Sequence, residues 1–217
     1  MSLRSRLPLL ALLSLAGLST CGPRQPGAKY SEFRGPGLPQ PIAKPEFVLT
    51  GTDGKPFNFR AETDGYSTLL FFGYTHCPDV CPLHMANIAH ALHQLGPSVQ
   101  SKVKVVFVTT DPARDTPERL RSWLANFDST FIGLAGPIDT IYRITDELHM
   151  ARAYREVASD TGSRPPTSDT AYTIGHMAMV LAFTTDNLAH FVYPLGVTQD
   201  DWANDLAKMA QGPPREQ

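Results

Sequence analysis

Apolar residues along this chain fall into two alternating patterns, short unbroken runs and helical stripes. Thr68 to Phe72 is a run closed by Gly73, as a strand covered on both faces requires. From Leu83 to Leu95 the pattern becomes a stripe of Met85, Ile88, Ala89, Leu92 and Leu95, which predicts an amphipathic helix beginning near Pro82. Val103 to Val108 is a second run, so strand, helix and strand make a right-handed βαβ unit. Thr116-Pro117-Glu118 starts a further helix, with a capping hydroxyl, a first-turn proline and an acid near the dipole. Its buried face is Leu120, Trp123, Leu124 and Phe127. Phe131 to Leu134 reads as a short strand and Pro137 to Met150 as a helix. Met177 to Phe183 and Leu188 to Tyr193 read as a strand pair turning at Thr185-Asp186-Asn187, and Trp202 to Met209 as a closing helix. Upstream, Phe47-Val48-Leu49 and Phe57-Asn58-Phe59 flank Asp53-Gly54, a hairpin signal. The expected class is α/β, a central mixed sheet with helices on both faces and an N-terminal β-hairpin.

Composition changes the picture at the ends of the chain. Residues 1–20 read as a signal peptide, with Arg4 and Arg6 ahead of an uncharged apolar stretch too short to span a bilayer comfortably. That stretch ends in Leu18-Ser19-Thr20-Cys21, which approximates a bacterial lipobox although Thr20 is larger than usual there. Cleavage would leave Cys21 as a lipidated N-terminus, and this accounts for an odd cysteine. An ordinary cleaved signal with Cys21 as a chance residue is the alternative. The lipoprotein reading puts the protein in the bacterial cell envelope, anchored to the membrane with its domain facing the periplasm or exterior. Residues 21–45 are rich in Pro and Gly and read as a tether, 46–211 as one domain, and 212–217 as a flexible tail. With 19 basic and 21 acidic side chains and no basic stripe, nucleic acid is set aside as a partner.

The candidate chemistry sits at the junction of the first long strand and its helix. Cys77 and Cys81 there are near a helix N-terminus, where backbone N–H groups favour thiolate. Three residues separate them, not the two of a thioredoxin-type redox pair. If the first helical turn runs through both, their sulfurs share one face and converge on a soft metal ion or a disulfide. The carboxyl ends of strands in an open α/β sheet are where sites are built.

The run Phe71-Phe72-Gly73-Tyr74-Thr75-His76-Cys77-Pro78-Asp79-Val80-Cys81-Pro82, the segment Asp111-Pro112 to Asp115-Thr116-Pro117-Glu118, and a lone His176 together resemble the SCO/SenC family. The resemblance covers Phe47 to Met209. It implies a thioredoxin-like fold and one copper per chain, Cu(I) or Cu(II), bound by Cys77, Cys81 and His176. It also implies a role in assembling the copper centre of cytochrome c oxidase. The implied partners are the oxidase's copper-bearing subunit and a periplasmic copper donor or thiol reductant. One departure stands out: where the family has an acid before the histidine and a small hydroxyl residue after it, this chain has Gly175-His176-Met177.

The donor chemistry agrees, since two thiolates and an imidazole suit copper, while zinc would take the same ligands with a water. Two functions follow. One is a metallochaperone with no turnover of its own. The other is a thiol–disulfide oxidoreductase whose redox-active pair is Cys77 and Cys81, keeping oxidase-subunit cysteines reduced. Neighbouring residues receive lesser roles. His76 is placed to tune Cys77, and Asp79 to favour the helix N-terminus. His84 flanks the helix stripe without a role, and His90 and His93 are solvated. Met177 and Met179, two apart on a strand, read as core packing.

Overall fold

The computed structural model describes residues 30–156 and 172–215. In chain order the first elements are β1 (Gly37–Ala43), β2 (Val48–Gly51), β3 (Pro56–Asn58), α1 (Phe59–Glu62), β4 (Ser67–Gly73), α2 (Val80–Leu95), α3 (Pro97–Gln100) and β5 (Val103–Thr109). Then come α4 (Pro117–Leu124), β6 (Ile132–Ala135), α5 (Ile138–Glu147), β7 (Tyr154–Glu156), β8 (Thr173–Gly175), β9 (Val180–Phe183), β10 (Leu188–Tyr193) and α6 (Gln199–Met209). Eight strands form one mixed sheet in the order β1-β10-β9-β4-β5-β6-β2-β3, and β7 pairs with β8 as a separate ribbon. The expected α/β class and central sheet are present.

At the centre β4 and β5 run parallel, with Phe71 opposite Phe107 and Phe72 opposite Val108. Alternation along these strands divides the core. Leu69, Phe71, Val105 and Phe107 meet α2, α4 and α6, while Leu70, Phe72, Val106 and Val108 meet α1 and α5. Both faces are therefore covered, which is why the runs read as continuously apolar. The predicted hairpin is also there, with Leu49 opposite Phe57. Thr116 caps α4 through its hydroxyl, as its sequence suggests.

Three features differ from the sequence reading. Residues 30–43 fall inside the stretch read as a tether, yet β1 pairs antiparallel with β10 at the sheet edge. Its attachment is polar as well as apolar: the buried Asp205 carboxylate accepts from the Arg34 and Gly35 amides at 2.8–3.1 Å and from the Tyr193 hydroxyl at 2.8 Å. Pro39 and Pro41 are tolerated there because an edge strand leaves half its amides unused. Second, α2 begins at Val80, so Pro82 lies in its first turn and Cys77 precedes the helix. Third, β9 starts only at Val180, so Met177 and Met179 occupy the connection from β8. They are half-buried, and Met177 packs against the α5 side of the core.

The proposed signal, Cys21 and the polar stretch Ser159 to Asp169 lie outside the described residues. Among the described residues, no helix is long and apolar enough to cross a membrane.

Candidate metal centre

The site grows from the end of β4. A Cβ on Gly73 would lie 2.9 Å from the Cys81 sulfur and 2.7 Å from the Phe71 ring, so a side chain there would collide with both. The chain then turns, the Cys77 amide donating to the Tyr74 carbonyl at 3.2 Å. Asp79 caps α2, its carboxylate accepting from the Val80 amide at 2.6 Å, which is the helix-terminal role expected of it. Cys81 sits in the first turn, fully buried. Its amide donates to the Cys77 sulfur at 3.4 Å. The two sulfurs do not share a helix face. Cys77 stands in the turn and folds its sulfur onto the first amides of the helix, an anion-favouring position.

This arrangement makes the thiols unequal. Cys77 is held well below its ordinary pKa, first by a hydrogen bond from the Cys81 thiol, with further help from His176 and the Cys81 and Asp79 amides against the cost of burial. Cys81 is pushed well above its ordinary value, first by burial and then by the neighbouring sulfur. Of the two, the half-exposed sulfur is the one its surroundings favour as thiolate, and burial disfavours charge on the other.

His176, just after β8, comes back across the sheet end to place its Nε2 3.5 Å from the Cys81 sulfur. The Tyr74 and Phe71 rings meet its ring in T-shaped contacts, with centroids at 5.8 and 5.9 Å. Its ligating atom and the two sulfurs all lie within 4.8 Å of one another, and no fourth His, Cys, Asp or Glu among the described residues joins them. Two thiol sulfurs and an imidazole are a soft donor set of the kind copper favours, whereas a structural zinc site closes with four protein ligands. The Nδ1 of His176 is buried without a partner among the described residues. This agrees with the departure at Gly175, where no carboxylate is present to receive that nitrogen's proton. A Cβ at Gly175 would meet the Tyr154 ring at 2.5 Å, so the space for a side chain there is already taken.

The flanking residues separate from their expected roles. His76 lies against Asp115, with its Nδ1 3.6 Å from that carboxylate. His84 is buried, with its ring 5.2 Å from Phe71, and burial holds its pKa below the usual histidine value. It is part of the floor near the site. His90 is exposed, and His93, though exposed, pairs with Asp128 at 2.9 Å. Asp115, named in the sequence only as part of the family motif, has a role that reading did not give it, and it is fully buried. It accepts from the Thr75 amide at 3.0 Å and from the Thr75 and Thr109 hydroxyls at 2.6 Å each. A buried carboxylate thereby pins the cysteine loop to the end of β5. The signal was present as Asp111 and Asp115 bracketing Arg114 just beyond a buried strand, where helix-start chemistry absorbed the reading.

A thioredoxin-like α/β domain with a Cys-Cys-His cluster at its sheet end defines the class. Residues 37–211 match the SCO1/SenC family model, and the chain belongs to that family. Mitochondrial protein SCO2 of Saccharomyces cerevisiae is 30% identical over 155 residues, covering 71% of this chain and 48% of that protein. The chain spans about half the length of the curated relatives it matches. Among solved structures, Bradyrhizobium japonicum ScoI with copper bound is 32% identical with a TM-score of 0.65, covering 77% of this chain and 99% of that one. Apo Sco1 from Thermus thermophilus is 28% identical with a TM-score of 0.68, covering 82% and 96%.

Proposed function

We propose that this protein binds one copper ion through Cys77, Cys81 and His176 and delivers it to the copper-bearing subunit of cytochrome c oxidase. The observation that carries the reading is the convergence of two cysteine sulfurs and one imidazole nitrogen within 4.8 Å, from positions as distant in sequence as Cys77 and His176. The copper-bound ScoI structure supports it by likeness across the whole domain. Cys21 would carry the lipid that holds the domain at the outer face of the cytoplasmic membrane. Metal analysis of the reduced protein should find one copper, and Cu(II) should give an intense sulfur-to-copper absorption. Cys77→Ser and Cys81→Ser should lose that band, and an undiminished band in either removes it from the ligand set.

The inequality of the thiols favours a second reading, a dithiol reductant of a client disulfide, with Cys77 attacking and Cys81 resolving. The two readings part at His176. His176→Ala should abolish oxidase assembly at low copper as thoroughly as Cys77→Ser does. A healthy His176→Ala strain beside a failing cysteine strain would establish the reductase instead.

A further inference from the structure

One loop grips both halves of this site. Past the end of β5, Asp115 holds Thr75 of the cysteine turn, and the Thr110 amide donates to the Gly73 carbonyl at 2.7 Å. The same loop reaches the other way through Asp111 and Arg114. Asp111 is 3% exposed and accepts from the Arg114 Nε and, at 2.6 Å, from the Tyr172 hydroxyl. The Arg114 Nη1 donates to the Tyr172 carbonyl at 3.0 Å, and the guanidinium lies 3.6 Å from the centroid of the Tyr172 ring. Tyr172 is thus held by its hydroxyl, its ring face and its backbone. It directly precedes β8, and His176 directly follows β8.

The need for such a hold is visible in the topology. Among the described residues β8 pairs with β7 alone, and every residue of β7 is exposed. The main sheet therefore does not set the register of the strand that delivers His176. Arg114 also lies 5.9 Å from the Tyr74 ring, which meets the imidazole in a T-shaped contact. We propose that Arg114 is the positioning residue of the centre, clamping Tyr172 to Asp111 so that His176 stands over the two cysteines. The guanidinium suits this task because its planar fork donates in two directions while its face stacks on the ring; a lysine supplies a point charge and no face.

The copper arm of the test rests on the copper reading above, and the metal-free arm does not. In the reduced, metal-free protein, Overhauser contacts should join the His176 ring to the Tyr74 and Phe71 rings. Arg114→Gln should lose them while keeping the contacts between the Tyr193 and Trp202 rings, which stack in the core at 4.2 Å. Arg114→Lys retains the charge opposite Asp111, should fold, and should show the same displacement to a smaller extent. Copper affinity in Arg114→Gln should fall about ten- to a hundredfold. In a His176→Ala background the same substitution should add nothing, because its effect runs through that imidazole. Undisturbed Overhauser contacts in the folded Arg114 variants, or an additive loss in the double variant, would overturn the clamp. A wild-type protein that takes up no copper would sink the copper reading and leave the ring contacts to judge the clamp.

Discussion

Removing the Asp115 carboxylate should cost stability and loosen the cysteine loop in one stroke. The group is fully buried and accepts three hydrogen bonds, from the Thr75 amide and from the Thr75 and Thr109 hydroxyls. Hydrogen bonds to a charged acceptor contribute about 1.5–3 kcal/mol each, and a buried donor left without one costs about 1–3 kcal/mol. In Asp115→Ala the Thr75 amide and the Thr109 hydroxyl lose their acceptor where the protein is closed to water. The Thr75 oxygen still accepts from Arg119 Nε at 3.0 Å. Setting these losses against the relief of no longer burying a carboxylate, the net destabilisation should be about 3–5 kcal/mol. Asp115→Asn is the discriminating partner. Its oxygen would face the Thr75 amide and its NH2 the Thr75 hydroxyl, which has lone pairs for both that donor and Arg119. The cost should then be about 1–2 kcal/mol. Denaturant unfolding of the reduced protein reads this as a midpoint shift at constant slope. Alkylation of Cys77 followed against pH should move toward an ordinary thiol in the Ala variant, as the turn that presents its sulfur to the helix amides slackens. A loss below about 1 kcal/mol in Asp115→Ala, or an Asn variant as damaged as the Ala one, would refute the carboxylate as the anchor.

Three further outcomes follow from the same geometry. Iodoacetamide at pH 6 should label Cys77 and spare Cys81 in the reduced protein, read by peptide mass spectrometry; equal labelling would remove the inequality of the thiols. Because folded Cys77 gives up its proton below the ordinary 9, the unfolded chain binds more protons in that interval. This group's stabilisation is therefore complete above pH 9 and lost as pH falls through the folded value, and Cys77→Ser should flatten that slope in pH-dependent unfolding. Gly73→Ala sets a methyl 2.7–3.0 Å from Phe71, Cys81 and Phe107 and should cost about 1–3 kcal/mol with displacement of the Cys81 sulfur; a wild-type midpoint would contradict it.

The parts of the fold legible in the sequence are those whose burial is two-sided or strongly periodic. Thr68 to Phe72, Val103 to Val108 and the Met85–Leu92 stripe could be read because every apolar position has a covering layer. β1 was hidden because its hold is a backbone ladder with β10 and a distant carboxylate, Asp205, neither of which leaves a periodic trace. β7 was hidden because Tyr154, Arg155 and Glu156 are all exposed and so do not alternate. Met177 and Met179 misled by spacing: a two-residue repeat implies a shared face only where the chain is extended in a ladder, and β9 begins after them. In the site, the cysteines declare themselves by position after a buried strand. His176 lies 95 residues from Cys81 and could be named only through the family resemblance. His84 was passed over because a helical wheel shows its neighbours on the helix and not the loop from β8 that closes above it.

The three donors are held with unequal firmness, and that inequality bears on how cargo would leave. Cys81 is fixed by α2 and the core, with no exposed surface. Cys77 stands in a turn at the surface, and His176 is carried by a two-stranded ribbon outside the main sheet. Among the described residues the ribbon pairs with no strand of the main sheet, so the hold on His176 rests on side-chain contacts rather than on a ladder to β4 and β5. On the copper reading, an incoming acceptor meets Cys77 and His176 first, since Cys81 lies beneath both. Its donors would replace those two in turn, and Cys81, the deepest of the three, would release last. On that reading the site closes on its ion through the buried Cys81 and offers it through Cys77 and His176.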